Sequence, residues 1–173
     1  MNELIKEMKA WVKTKNLYVI NSEFGFQKGD IIKILKQFGI GANMYNYDSY
    51  LKHSAGATLP VEEALQIYND ILESVRMCKV EDKDEFVGEF VKKACNYAKE
   101  RLDWEFYSRE EQMAADQGRT IKHNAFIDSV NILARLLNSD GIETPWRERL
   151  GDERKRIGDF ACFVAYIVGI SNR

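Results

Sequence analysis

The chain has 173 residues, 45% of them hydrophobic and 30% charged, with 2 prolines and a net charge of −2. That composition belongs to a folded, helix-rich globular protein and excludes disorder away from the ends. Basic and acidic side chains number 8 and 5 in residues 1–60, 8 and 15 in 61–118, and 9 and 7 in 119–173; no basic stripe runs along the chain, and the first arginine is Arg76, which argues against a nucleic-acid reader.

Residues 2–14 read as an amphipathic helix, because Leu4, Ile5, Met8, Trp11 and Val12 recur at helical spacing. The same run carries charges where a secretion signal needs an apolar core. Leu17 to Ile20 is a short β-prone segment. Ile31 to Phe38 and Met44 to Lys52 suggest two short helices joined through Gly39 and Gly41. This pair has the outline of a helix-turn-helix, with Asn43, Tyr45, Asn46 and Lys52 available to DNA. Leu35 stands where that motif needs a small side chain and Asp48 where it needs an apolar one, so an ordinary helical hairpin is the simpler reading. His53 closes the second helix beside the loop Ser54 to Thr58.

Pro60-Val-Glu-Glu63 marks a helix start, with proline near the first turn and acids at the positive end of the dipole; the helix runs to about Met77. The next begins in Glu81-Asp-Lys-Asp-Glu85 and continues to about Leu102. Its acidic pairs, Asp82 to Glu85 and Glu100 to Asp103, resemble the magnesium-binding pairs of helical nucleotide pyrophosphatases. On one straight helix they would stand about 27 Å apart, too far to share an ion. Residues 110–138 form a third long helix closed by Asn138-Ser-Asp-Gly141, and Asp152 to about Ile170 forms the last. The apolar run Phe160 to Ile170 falls short of the roughly 20 residues that cross a bilayer, so this helix is either enclosed or half of a dimer contact. Cys78, Cys95 and Cys162 sit in apolar helical patterns and read as buried free thiols of a reducing cytoplasm. With His53 and His123 they make no metal-ligand spacing, and there is no glycine-rich phosphate loop. Trp11, Trp104 and Trp146 read as core anchors.

The 110–138 helix holds the candidate site. At 100° per residue, Asn124, Asp128, Asn131 and Arg135 fall in a narrow polar stripe, while Arg119 and His123 lie inside the apolar arc of Ile127, Val130, Ala134 and Leu137. A helix so patterned should be buried on most sides, and its polar groups should need partners. Asp152, Lys155, Arg156 and Asp159 share a face of the last helix, and Asp159 is the expected partner of Arg119 or His123. Two readings follow: an ion-pair network that fixes helix register, or a phosphate, nucleotide or acid–base site.

Arg119, His123-Asn124, Asp128, Asn131, Trp146-Arg147, Leu150-Gly151, Arg154 and Ile157-Gly-Asp-Phe160 together resemble a family of small proteins of Gram-positive bacteria, their phages and integrative elements, classed as a domain of unknown function. The resemblance covers about a third of the chain and implies a mobile-element setting inside the cell. Arg119 and His123 are also similar to the Arg/His pair of a compact, dimeric helical ribonuclease class, which spaces them more widely. There the arginine would hold phosphate and the histidine aid cleavage.

These readings predict an all-α multi-helix bundle, with a helical subdomain over 1–58, one short β segment within it, and a helical bundle over 59–173. The expected function is a non-enzymatic protein-interaction or regulatory protein of phage or mobile-element type, an inhibitor of a host defence complex, with the acidic 81–111 region facing a basic partner. The alternatives are a helix-turn-helix regulator and an Arg/His ribonuclease. The site residues are Arg119, His123 and Asp159 for catalysis, and with them Asn124, Asp128, Asn131, Arg135, Arg147 and Arg154 for binding. No metal or cofactor is expected; the protein is expected in the cytoplasm, off the membrane, as a homodimer with a protein partner.

Overall fold

A computed structural model describes residues 59–104 and 107–171. The 1–58 subdomain, its β-prone segment, the paired helices, Trp11 and His53 lie outside the described residues. Those described form five helices and no strand, an all-α bundle: α1 Val61–Met77, α2 Lys83–Trp104, α3 Arg109–Ser139, α4 Pro145–Leu150 and α5 Arg154–Ser171. No helix among them is long and apolar enough to cross a membrane.

Local chemistry accounts for the boundaries. Pro60 is the N-cap of α1, and its carbonyl accepts the first helical bond, from the Ala64 amide at 2.9 Å. The α2 helix starts with Asp84 and Glu85 in its first turn, where the dipole favours acids, and runs unbroken through Gly88. Ser108 begins α3 with a reciprocal capping box: its hydroxyl accepts from the Glu111 amide at 3.2 Å, and the Glu111 carboxylate accepts from the Ser108 amide at 2.7 Å. At the other end the Gly141 amide donates to Asn138 and the Ile142 amide to Leu137, both at 3.0 Å. That is a Schellman closure, and it requires the left-handed backbone that Gly141 adopts at φ 77°. The short helix α4 escapes the periodicity of the sequence because it is only 6 residues long; Pro145 opens it, and Trp146 and Leu150, one turn apart, are both buried.

All five helices contribute to the core, and the three longest, α2, α3 and α5, each place one phenylalanine at its centre. The Phe90 ring lies 5.8 Å from Phe126 and 6.3 Å from Phe160. Pairing of Tyr97 with His123 and of Phe90 with Phe126 sets α2 and α3 antiparallel. The α1 helix packs on α5 through Tyr68 and Phe163, whose rings stand edge to face at 6.2 Å. Every residue from Ile157 to Ala165 is buried, so α5 is enclosed along this stretch. Cys78, Cys95 and Cys162 are buried thiols outside any disulfide, as their apolar settings predict. Burial pushes the Cys95 thiol up to about 12, with the neighbouring Cys162 adding to it.

Candidate functional site

The α3 helix is less buried than its pattern predicts. Ile121 and Ile132 stand 60% and 42% exposed, and with Asn124, Asp128 and Arg135 they make a continuous solvent face. The expectation that the polar stripe must find internal partners is therefore corrected: Asn124, Asp128 and Arg135 are already in water. The apolar arc is also narrower than hydropathy implies, because two of the helix's isoleucines lie outside it.

Arg119 and His123 do turn inward, towards the C-terminal end of α2. His123 is buried, with its ring edge-on to Tyr97 at 5.3 Å. Its Nδ1 lies 3.1 Å from Asn124 Oδ1, while Nε2 is enclosed without a hydrogen-bond partner. One turn earlier, the Arg119 guanidinium lies 4.3 Å above the Trp104 ring, in cation–π contact. Its Nε and the Tyr97 hydroxyl are likewise buried and unpartnered. Burial lowers the Arg119 proton affinity; nearby Tyr97 opposes that effect, and the charges of Arg154 and Arg101 add to it. Arg154, at the start of α5, donates to Thr120 Oγ1 at 3.1 Å, so its guanidinium reaches the residue next to Arg119. Trp104 is thus a half-buried platform rather than a core anchor, whereas Trp146 is 1% exposed and anchors the core.

Asp159 does not join this group. It is buried against Arg101 of α2, the carboxylate accepting from Nη1 at 2.7 Å. Burial works against the Arg101 charge, but Cys162 and Asp159 outweigh it and hold the proton more tightly than usual. The pairing of Asp159 with Arg119 or His123 expected from the sequence is therefore replaced by a pair with Arg101. Periodicity within α3 and α5 could not reveal it, because the missing partner is on a third helix. Gly158 admits the Arg101 side chain: a methyl group there would come within 2.5 Å of Arg101 Nε.

Arg147 and Asn131 belong to a separate joint. Arg147 donates from Nε to Asn131 Oδ1 at 2.7 Å, from Nη1 to the Gly151 carbonyl at 3.0 Å, and from Nη2 to Asp152. It thereby ties α3, α4 and the turn before α5. Arg156 makes a parallel joint, donating to Glu63 of α1 and to the Leu150 carbonyl at 2.9 Å. The nine sequence-derived site residues thus divide into an Arg119/His123/Arg154 group, an Arg147/Asn131 joint, the buried Asp159, and the exposed Asn124, Asp128 and Arg135. Arg101, Tyr97 and Trp104 are the neighbours that sequence reasoning missed, since all three look like ordinary α2 residues in the pattern. No group of His, Cys, Asp and Glu among the described residues is arranged to hold a metal ion. No family model, curated protein or solved structure matches the chain.

Proposed function

We propose that this is a non-enzymatic protein-interaction protein of phage or mobile-element type, a regulator or inhibitor of a host complex, and that it binds through the outer face of α3. The observation that carries the reading is the exposure of Ile121 and Ile132 on one face of a 31-residue helix, flanked by Asn124, Asp128 and Arg135. Large apolar groups held in water along a rigid element are the usual anchors of a protein contact. The antiparallel hairpin sets the exposed acids Glu81, Asp82, Asp84, Glu85 and Glu89 at the same end as Ile132 and Arg135. A basic partner surface would be steered to that end. The mobile-element setting rests on the family resemblance of the residues between Arg119 and Phe160.

The same geometry weighs against cleavage of RNA. An acid–base histidine must come within hydrogen-bond reach of its substrate, and His123 Nε2 is enclosed while Nδ1 faces Asn124.

The test is affinity capture from host lysate with the full chain and with an Ile121→Glu/Ile132→Glu variant. The parent should retain a stoichiometric partner at low salt, and the variant should lose it with its melting temperature unchanged. Recovery of nothing but the chain itself, or equal capture by both proteins, would sink the proposal.

A further inference from the structure

The described residues hold one region where orphaned buried polar atoms, excess positive charge and an aromatic wall coincide, around Arg119 and Trp104. Buried polar groups in folded proteins almost always have partners, because an unmet one carries its full desolvation penalty. Here Arg119 Nε, His123 Nε2 and the Tyr97 hydroxyl, all between α2 and α3, have none. His123 is 9% exposed and Tyr97 fully buried, so bulk water does not serve them either.

Positive charge gathers around them, with Asp116 the acid that acts on Arg119 and Glu153 the one that precedes Arg154. Arg154 touches Thr120 beside Arg119, and Lys155 follows it in the first turn of α5, a turn that contains no acid. The amino end of an 18-residue helix is already positive. Arg101 has its carboxylate in Asp159, and Arg156 has Glu63, but neither Arg119 nor Arg154 is in an ion pair. Two guanidinium groups outside any ion pair, beside a helix amino end, can hold an oxyanion, and phosphate suits their forked donors.

Trp104 extends the site beyond a bare anion. Arg119 is stacked on its ring, and the same residue walls a cleft of about 440 Å³ with Arg109, Gln112, Met113 and Asp116. That volume is large enough for a nucleoside. The indole and the exposed Met113 thioether offer surfaces on which a base can stack. Asp116 can accept two donors from a base edge, and guanine is the common base that presents two adjacent ones.

We propose that Arg119, Arg154 and Thr120 bind the phosphate of a nucleoside monophosphate whose base lies in the adjoining cleft against Trp104, with Asp116 selecting guanine. Arg119 and Trp104 join the two halves of the site, since the stacked guanidinium is oriented by the ring and offers its outer edge to phosphate. Arg119 faces Trp104 of α2 on the side of α3 away from the isoleucine face, so the site is a property separate from protein binding.

Guanosine 5′-monophosphate titrated into the full chain by calorimetry should show one site. Arg119→Gln and Arg154→Gln should each weaken it by about tenfold or more, about 1.4 kcal/mol, and Arg76→Gln, at an exposed arginine of α1, should leave it unchanged. Inorganic phosphate should compete and should lose its own binding in both arginine variants. Guanosine without phosphate should compete only weakly, and uridine 5′-monophosphate should bind less tightly than the guanosine compound. Because Trp104→Leu risks the fold, the base contact is read separately through Asp116→Asn, which should abolish the preference for guanine. The proposal is overturned by absence of saturation at millimolar nucleotide, by equal loss in Arg76→Gln, or by binding that appears only with single-stranded RNA.

Discussion

Gly158 shows how one missing methyl group sets the geometry of a buried charge. Arg101 crosses α5 at that glycine to reach Asp159, so a side chain at position 158 would have to displace the guanidinium from its carboxylate. In a helix interior alanine is favoured over glycine by about 1 kcal/mol, and here the sign should reverse. We expect Gly158→Ala to destabilise the fold by roughly 1–3 kcal/mol in urea unfolding. In an Arg101→Met background, itself weakened because the buried Asp159 loses that guanidinium, the same change should be neutral or stabilising. Equal effects in both backgrounds would mean that the close approach does not matter. The Cys95 thiol offers a second test through its raised pKa. A group that holds its proton more tightly when folded contributes stability below its unfolded pKa and loses it as pH rises through the folded one. That window runs from the ordinary 9.0 to about 12, so urea midpoints should fall more steeply across it for the parent than for Cys95→Ala. Neither residue's role was legible in the sequence, where Gly158 looks like any small helical residue and Cys95 like any buried thiol, because both depend on what another helix brings opposite them.

At the level of elements, the signals confined to one helix were readable and those between helices were not. Proline and acids at 60–63, the acidic start at 81–85 and the Asn138 to Gly141 closure located α1, α2 and the end of α3 to within a few residues, because caps and dipoles act over a single turn. The α4 helix was missed because 6 residues carry no period. The exposed face of α3 was misjudged for a different reason: hydropathy assigns isoleucine to the interior, yet only packing decides which isoleucines find a neighbour. Its capping box makes a local prediction. Ser108→Ala removes the acceptor for the Glu111 amide and leaves that carboxylate's return bond alone. It should cost about 1 kcal/mol, and amide exchange should quicken over the first turn of α3 while the Phe90, Phe126 and Phe160 layer stays protected. Uniform exchange across the helix would instead mean that α3 opens as one unit with the core.

For the whole molecule, the division of labour between the two sides of α3 decides what can be tested independently. The inner side holds Phe126, Val130, Leu133 and Leu137 in the core, together with His123 and Arg119; the outer side holds Ile121, Asn124, Asp128, Ile132 and Arg135. Substitutions of Asp128 and Arg135 should each shift stability by no more than about 0.5 kcal/mol, whereas Asn124 also faces the buried His123 ring. Self-association follows the same logic. With α5 enclosed from Ile157 to Ala165, that stretch offers no apolar face to a second copy, and among the described residues the exposed large apolar side chains are Ile121 and Ile132 on one face of α3, with Met77 and Met113 elsewhere. If the chain forms a homodimer, Ile121→Glu/Ile132→Glu should render it monomeric by light scattering at every concentration, with Arg119→Gln still dimeric. A dimer that survives the double substitution would move the contact off α3, and with it the surface through which the chain is proposed to meet its partner.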